Sequence, residues 1–524
     1  MVFLKMALEK LANIWLIKLF RRYWYDLVVL KIRNKKISFK IETIFYDPYI
    51  EVRDLKISII NYYLNNCNFS ISFKNHLFNH LFIRDQQIYN KTCIVKFLLN
   101  NIVDIREIST VFLSKEDFKL LKFFNLKIDK VKSKKIKRFI LNSIYALLTI
   151  LSNIQRHYKE LKLFPQKNSN FDSNIKYFKI LRAWVNLAEN IYLNQLNKSL
   201  DNTIIHVNPG YLRELPSKRQ EKYIKHLKEK KRNYFFYVPK LKFYNILKKT
   251  IKIYFNNNHG ELKIPLINII IQRNQIDNYI EYLLKEFPKV KKFYTKEEFH
   301  PGTTYLTEKL QENNIKVINF AHGNGVYCPF VNYDVFYVYS KMQKSAYFGT
   351  TKFKYFPWNF SLKLPKNETQ KSLAILFIAQ NIFTSKIINS SNFKIYYKKV
   401  LNYIEKLAEE NRLPVFVKYH PNSKEEDKVL SKNIKVIEKI EDIVDYRCLA
   451  LTFYSSYAIE LLNQMPFIYI NLEEKIDLKY LFPSDKEFYA KSYQDLRKKI
   501  KKFLINQSYY FQYWNKLIQS FKET

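Results

Sequence analysis

Short apolar runs alternate with helical periodicity over the last third of the chain. Strands are predicted for five such runs, at residues 373–378, 415–419, 434–437, 448–452 and 466–471. Apolar residues recur at helical spacing in the intervening segments 393–410 and 455–462. Continuous apolar strands that alternate with helices are typical of a parallel sheet with helices on both faces. We therefore expect a doubly wound α/β domain in this part of the chain.

The middle of the chain repeats this alternation. Strands are predicted at residues 266–271, 292–295, 316–320 and 335–339, and helices at 275–287 and 303–313. A proline-punctuated stretch without periodicity follows at residues 356–366, and we place a domain boundary in it. The predicted organisation is an N-terminal half (1–358), whose Rossmann-like core is clearest in 261–350, a C-terminal Rossmann-like domain (359–480) and a helical segment (481–524).

Residues 1–240 have a different pattern. Basic helical segments there surround strand-like pieces at 43–52, 103–113 and 203–207. These pieces either complete the first Rossmann-like domain or form a separate appendage, and the pattern leaves both open. A chain of 524 residues exceeds what one hydrophobic core supports, so at least two domains are expected in either case.

Composition adds a strong positive charge. The chain has 89 Lys and Arg against 47 Asp and Glu, a formal net charge of +42. Such a field attracts polyanions, which include nucleic acid, an anionic membrane surface, acidic glycans and nucleotide phosphates. Heavy use of Lys, Asn, Ile, Tyr and Phe is also what AT-rich codons give, so the charge alone names no partner.

The sequence also bears on the compartment. The four cysteines are scattered and form no CxxC pair, so a disulfide framework is not expected and a reducing cytoplasm fits. Charged residues interrupt positions 1–22, which argues against a signal-peptide core, and no uncharged apolar run reaches spanning length. We expect a cytoplasmic protein that does not cross a membrane.

The six glycines are unevenly placed. Four of them lie in one window, at Gly302, Gly323, Gly325 and Gly349. A chain this poor in glycine is expected to keep it where a positive φ or a close backbone approach is required. This window is therefore the first place to look for a site.

Polar residues follow three predicted strands, at the ends where ligands bind in a doubly wound sheet. These groups are His322-Gly323-Asn324-Gly325 after 316–320, His420 after 415–419, and Ser455-Ser456 after 448–452 with Glu460 one turn later. Imidazole, serine hydroxyls and helix-start N–H groups suit a phosphate, and a carboxylate can accept from a ribose hydroxyl. The structural alternatives are a turn, a strand terminator at Pro421 and a serine N-cap. The shared placement favours the functional interpretation.

Other site chemistries have less support. No P-loop motif and no G-x-G-x-x-G fingerprint occurs, which disfavours those nucleotide-binding classes. His76 and His80 have the i, i+4 spacing of helical metal ligands but no evident third ligand. We therefore expect no metal site.

At the strand-end residues the chain resembles a superfamily of bacterial surface-polymer enzymes. It includes the CDP-glycerol glycerophosphotransferases of teichoic acid synthesis, capsule Kdo transferases and bacterial polysialyltransferases. The resemblance covers residues 292–472, about a third of the chain. The matching motifs, in the family's order, are FAHG at 320–323, VYS at 338–340 with Phe348-Gly349, Lys418-Tyr419-His420-Pro421, and Ser455-Ser456 with Glu460 ahead of Met465-Pro466. Each motif is short, and the specificity lies in their combination.

This resemblance implies a fold and an activity. The implied fold is GT-B, in which two Rossmann-like doubly wound domains face each other across a cleft, here with helical N-terminal elaborations. The implied activity is transfer of a sugar, or a polyol phosphate unit, from a nucleotide-activated donor, CMP- or CDP-linked, to a capsular or other surface glycan or a lipid-linked glycan. Glycosyl transfer is favoured over glycerophosphate transfer. The Asp-x-Asp motif of metal-dependent glycosyltransferases is absent, so we expect a metal-independent enzyme without a cofactor.

The resemblance also implies roles for individual residues. The donor phosphate is assigned to Lys418, His420, Ser455 and Ser456, and the ribose to Glu460. His322 is the implied catalytic base, as in the glycerophosphotransferases, and Gly323 and Gly325 shape its turn.

Polysialyltransferases instead use a carboxylate from an acidic-acidic-Gly motif. Here Glu297-Glu298 is followed by Phe299, which weakens a sialyl assignment and leaves the base open between His322 and Glu298.

Two alternatives and a membrane location follow from the charge. With 17% aromatic residues, a nucleic-acid-binding protein is the first alternative, but no recognition signature appears and no specific nucleic acid partner is expected. A non-catalytic membrane scaffold is the second. Basic clusters at residues 130–138 and 222–232, the first ahead of the apolar stretch 139–154, predict peripheral docking on the inner face of the inner membrane. A buried core helix at 139–154 is the competing interpretation.

Overall fold

The structure is a computed structural model. It describes residues 27–32, 35–40, 53–101, 105–110, 113, 117–133, 153, 157, 160–164, 168–183, 187–208, 218–239, 248–250, 253, 262–321, 328–356, 371–379, 390–419, 433–453, 455, 457–472 and 485–522. The predictions for 43–52, for 139–152 and for the boundary residues 357–366 lie outside the described residues.

The described strands belong to four sheets. In chain order they are β1 (Leu27–Ile32), β2 (Lys35–Lys40), β3 (Ile105–Thr110), β4 (Ile128–Ser133), β5 (Lys179–Ala183), β6 (Thr203–Val207), β7 (Tyr234–Phe235), β8 (Lys292–Thr295), β9 (Lys316–Phe320), β10 (Phe330–Val331), β11 (Val335–Val338), β12 (Phe348–Gly349), β13 (Lys352–Tyr355), β14 (Leu373–Ile378), β15 (Val415–Lys418), β16 (Ile434–Val436), β17 (Arg447–Thr452), β18 (Phe467–Ile470) and β19 (Tyr489–Ala490).

The helices vary widely in length. In chain order the described α-helices are α1 (Arg53–Asn65), α2 (Ile71–Arg84), α3 (Gln86–Asn101), α4 (Asp117–Phe123), α5 (Leu187–Asn190), α6 (Lys218–Glu229), α7 (Lys263–Glu286), α8 (Thr303–Glu312), α9 (Lys341–Ser345), α10 (Ser390–Glu410), α11 (Tyr457–Glu460), α12 (Tyr493–Ile505) and α13 (Gln507–Lys522). Short 3-10 turns lie at Ile440–Ile443, Leu461–Asn463 and Lys486–Phe488, and a π turn at Ile191–Gln195.

The central sheet has the strand order β13-β11-β9-β8-β5-β6-β7, and all its neighbouring strands are parallel. The predicted strands at 203–207, 292–295 and 316–320 are confirmed, and the one at 335–339 ends one residue earlier. From β5 the chain first adds β6 and β7 on one side and then β8, β9, β11 and β13 on the other. The strand order therefore reverses between β5 and β8, which is where ligands bind in open α/β sheets.

The C-terminal sheet has the same kind of topology. Its order is β16-β15-β14-β17-β18-β19, with parallel neighbours throughout. Every residue of β14 and β17 is buried, as expected for central strands covered on both faces. The five strands predicted in this part of the chain are confirmed to within one residue at each end. The strand order reverses between β14 and β17.

The N-terminal sheet, ordered β2-β1-β3-β4, is separate from the central and C-terminal sheets and includes antiparallel pairs. Helices α1 to α4 share a hydrophobic core with it. Among the described residues of the segment 1–240, the elements between Leu27 and Ser133 form a sheet and helices of their own, whereas β5 to β7 belong to the central sheet.

The strand predicted at 266–271 is wrong, because these residues belong to the long helix α7. Apolar residues face opposite directions along this helix. Leu266 and Ile269 pack into the core of the N-terminal sheet, whereas Tyr279 and Leu283 pack into that of the central sheet. A short apolar run that is buried on several sides has the same pattern in a helix as in a strand.

None of the helices within the described ranges combines the length and apolar character that a membrane span requires.

Candidate functional site at the strand ends

The turn after β8 lies at the carboxyl edge of the central sheet, beside the point of reversal. It carries Lys296, Glu297 and Glu298, whose exposed fractions are 7%, 5% and 0%. Three charged side chains in succession are this deeply buried only when protein or ligand groups compensate them. Each of these charges therefore needs a compensating group.

Glu297 is held by the neighbouring strands. Arg182 of β5 forms an ion pair with it, with Nε and Oε2 3.1 Å apart, although this N–H is not aligned for a hydrogen bond. Asn208, which follows β6, donates to the other carboxylate oxygen. The backbone N–H of Glu297 donates to Oδ1 of Asn319 in β9 at 3.2 Å. Glu297 thus ties the turn after β8 to the strands on both sides.

Glu298 points into the interior. Asn319 Nδ2 donates to its carboxylate at 3.3 Å, and its backbone carbonyl accepts from the Cys328 N–H at 3.2 Å. Burial and this carboxylate together raise the pKa of the neighbouring Tyr333 hydroxyl well above its usual range. A fully buried carboxylate can act as a base only if the acceptor hydroxyl reaches into the turn.

Lys296 differs from both glutamates because its charged group has no close partner among the described residues. Among the described residues none forms a hydrogen bond or a close ion pair with its ammonium. Burial lowers the pKa of Lys296 to about 8, and the carboxylates of Glu298 and Glu460 oppose that shift. Glu460 lies in α11, which follows β17 of the C-terminal sheet. The charges of Lys296 and Glu460 are therefore near enough to affect each other, although they follow strands of two different sheets.

The pKa of the Glu460 carboxylate is shifted as well. Desolvation by the surrounding protein raises its pKa, and Lys296 opposes that change. The side chain as a whole keeps contact with water, so its attraction to Lys296 is partly screened.

Ser455 lies at the start of the one-turn helix that carries Glu460. Its hydroxyl oxygen accepts from the Tyr457 N–H at 3.2 Å, and its own N–H donates to Thr452 Oγ1 at 3.4 Å. The Ser455 hydroxyl thus takes part in a local turn at the start of this helix, and its proton can still be donated. Because α11 has only four residues, its dipole adds little to phosphate binding.

Lys418 ends β15 next to this helix. Its ammonium donates to the backbone carbonyl of Glu438 and lies 5.7 Å from the centre of the Tyr457 ring. Its charge is thus held at the rim of the C-terminal sheet. The remaining sequence-predicted residues, His322, Gly323, Gly325, His420 and Ser456, lie outside the described residues.

The backbone geometry explains why glycine occupies position 349, inside the glycine-rich window. Its φ is +128°, and a Cβ there would lie 1.9 Å from the carbonyl oxygen of Val331. The residue pairs with Val331 where β12 runs beside β10. Glycine is required at this position by the close approach of two backbones.

The two helically spaced histidines are core residues. His76 and His80 have exposed fractions of 0% and 4%. Nε2 of His76 lies 2.9 Å from Gln272 Oε1, and burial lowers the pKa of His76 to about 3. No group of three His, Cys, Asp or Glu side chains within the described residues is arranged to hold a metal ion.

Lys296, Arg182, Asn208 and Asn319 were not predicted from the sequence. The available signal was the charged triplet 296–298 directly after a confirmed strand, of which only the glutamates matched a motif. Arg182 and the asparagines are placed by strand order, which one sequence does not provide.

No protein-family model and no curated protein matches the chain. Two solved structures that match are spinosyn forosaminyltransferase SpnP and the glycosyltransferase SnogD from Streptomyces nogalater. The first is 9% identical, with 66% of this chain and 95% of that one covered and a TM-score of 0.36. The second is 10% identical, with 66% and 96% covered and a TM-score of 0.38. Likenesses at this level carry no argument about the activity, which must rest on the residues themselves.

Proposed function

We propose that the protein is a glycosyltransferase of the GT-B type, in which the central and C-terminal sheets face each other across a cleft. The supporting observation is that Lys296 and Glu460 belong to different sheets and lie near enough for each charge to oppose the pKa shift of the other. Each residue follows a strand that flanks a point of reversal, β8 in one sheet and β17 in the other. Because ligands bind outside the carboxyl ends at such points, a ligand between these two residues touches both sheets.

On this proposal the C-terminal sheet holds the donor. Glu460 keeps the solvent contact that a ribose ligand needs, and Ser455 offers a hydroxyl proton beside it. The resemblance adds His420 and Ser456 to the phosphate site and Lys418 to its margin. The donor is a nucleotide-activated sugar, CMP- or CDP-linked, and the acceptor a capsular or other surface glycan.

The central sheet supplies the base. His322 follows the buried strand β9, and Glu298 follows β8, the next strand in the sheet. One of them takes the proton from the acceptor hydroxyl while the hydroxyl oxygen attacks the anomeric carbon. The electron pair of the broken glycosyl–phosphate bond leaves with the nucleotide.

The proposed location is the cytoplasmic face of the inner membrane. Lys222, Lys225 and Lys228 are exposed on α6, whereas Tyr223 and Leu227 of the same helix are buried in the core. Helix α6 therefore offers a membrane its charge but no apolar face. Each exposed lysine near an anionic leaflet contributes about 1 kcal/mol.

A donor screen tests the proposal. Thermal melting is measured with CMP, CDP, UDP and GDP, and turnover is then assayed with the matching sugar nucleotides. A nucleotide that binds the folded state at a hundred times its Kd should stabilise it by about 2.7 kcal/mol. Stabilisation by single-stranded oligonucleotides but by none of the nucleotides would instead support the nucleic-acid alternative.

A further inference from the structure

We propose that Lys296 binds the phosphate of the donor nucleotide, reaching from the central sheet to a ligand that is otherwise held by the C-terminal sheet. This inference rests on the proposed function and adds a residue to it. Its basis is the position, burial and lack of partners of one lysine side chain.

Lys296 lies at the centre of the carboxyl edge of the central sheet. Thr295, the last residue of β8, pairs with Asn319 of β9, and β8 is the middle strand of the central sheet. Lys296 is the next residue, so it leaves the sheet at its centre and beside the reversal between β5 and β8. This is the part of a doubly wound sheet where a bound anion is expected.

The Lys296 side chain is buried, and its ammonium has no close partner among the described residues. A lysine with only 7% of its surface exposed normally forms an ion pair or several hydrogen bonds, and none of the described residues provides one for Lys296. The adjacent Glu297 is already taken by Arg182 and Asn208. An anionic ligand would compensate the ammonium, and its binding would raise the lowered pKa of Lys296.

The neighbouring carboxylate of Glu460 indicates that the anion bound by Lys296 is the donor phosphate. The resemblance assigns Glu460 to the donor ribose, and the charges of Glu460 and Lys296 affect each other. In a nucleotide the phosphate is attached to the ribose, so a cation beside the ribose site is beside the phosphate. As the glycosyl–phosphate bond breaks, charge grows on the phosphate oxygen, and an ammonium there stabilises the leaving group.

Binding measurements with matched variants test this. The probes are the nucleotide that stabilises the wild type most and its phosphate-free nucleoside, titrated by calorimetry against wild type, Lys296→Met, Lys296→Arg and Lys292→Met. Lys292 is the control because it begins the same strand and is exposed. Lys296→Met should weaken the nucleotide about 10- to 100-fold, as expected for one charge-assisted contact to phosphate. Nucleoside affinity should not change, Lys296→Arg should restore part of the loss, and Lys292→Met should behave as wild type.

The pH dependence gives a second readout. Since the pKa of Lys296 is about 8 in the free protein, the ammonium is charged at pH 7 and loses its proton as the pH rises through 8. Phosphate monoesters ionise for the second time near about 6 and stay dianionic over that range. Wild-type nucleotide affinity should therefore fall between pH 7 and 9.5, and the affinity of Lys296→Met should not.

The outcomes separate the two proposals. If the wild type binds a nucleotide and Lys296→Met binds it equally well, Lys296 has no phosphate role and the proposed function stands. Equal weakening of nucleotide and nucleoside would also overturn the inference, since it indicates a structural role. If no nucleotide binds the wild type at any pH, the proposed function fails and the inference with it. Ligand-free melting temperatures verify that each variant is folded.

Discussion

The ion pair between Arg182 and Glu297 leads to a stability prediction that can be worked from the structure. Its side chains are 12% and 6% exposed, and its charged atoms are 3.1 Å apart. Replacing Arg182 by Met keeps much of the side-chain volume but removes the cation that faces the buried Glu297 carboxylate. Removing one partner of a buried pair typically costs about 3–5 kcal/mol. We expect the lower end, about 3 kcal/mol, because the Asn208 amide still donates to Glu297.

The assay is urea unfolding, followed by tyrosine and tryptophan fluorescence, of the transition that includes the central sheet. The double variant Arg182→Met/Glu297→Gln removes both charges, and it should be more stable than Arg182→Met alone because no charge stays buried. Lys225 and Glu229 provide an exposed control pair, 3.7 Å apart with side chains 79% and 60% exposed. Lys225→Met should change the stability by less than about 0.5 kcal/mol.

Two results would refute this reasoning. A cost below about 1 kcal/mol for Arg182→Met would mean that water or another group compensates Glu297. A double variant no more stable than Arg182→Met would mean that the loss comes from packing of the Arg182 side chain, which lies over the Tyr279 ring, and not from the stranded charge.

Three further predictions follow from the sheets and their edges. Gly349→Ala should destabilise the protein by about 1–3 kcal/mol in thermal melting, since a Cβ there meets a backbone oxygen. Gly302→Ala should cost less, because a Cβ there meets only side-chain atoms, of His300 at 3.1 Å and of Ile276 at 3.3 Å. His322→Ala should lower turnover about 10²- to 10⁴-fold with donor affinity retained, and an inactive Glu298→Gln beside an active His322→Ala would reverse the roles. Anionic vesicles should bind the protein less as salt rises, and equal flotation with neutral vesicles would rule out electrostatic docking.

The C-terminal sheet could be predicted from the sequence almost strand by strand. Its central strands are buried on both faces, so β14 and β17 read as continuous apolar runs with clear ends. The order of these strands in the sheet could not be predicted, because it depends on pairings between distant segments. That order places the residues after β17 next to the point where the strand order reverses.

The central sheet was harder to predict, for two physical reasons. In β5 the apolar run is interrupted by Arg182, a charge that the fold buries against Glu297, and no strand was predicted there. In α7 the opposite occurs, since a helix buried on several sides carries an apolar run that resembles a strand. Both errors arise where tertiary partners, and not local periodicity, decide the environment of a side chain.

The candidate site shows the same division between local and tertiary information. The sequence assigned the donor phosphate to residues of the C-terminal sheet alone, namely Lys418, His420, Ser455 and Ser456. Of these, the Lys418 ammonium already donates to a backbone carbonyl, and the helix α11 beside Ser455 is a single turn. If the protein binds a nucleotide donor, Lys296 of the central sheet would add positive charge to this site, because it is buried near Glu460 without a close partner of its own. A donor site that needs both sheets would form fully only when the two edges are together. Donor binding should then stabilise the contact between the sheets, a consequence that no motif in either half of the sequence contains.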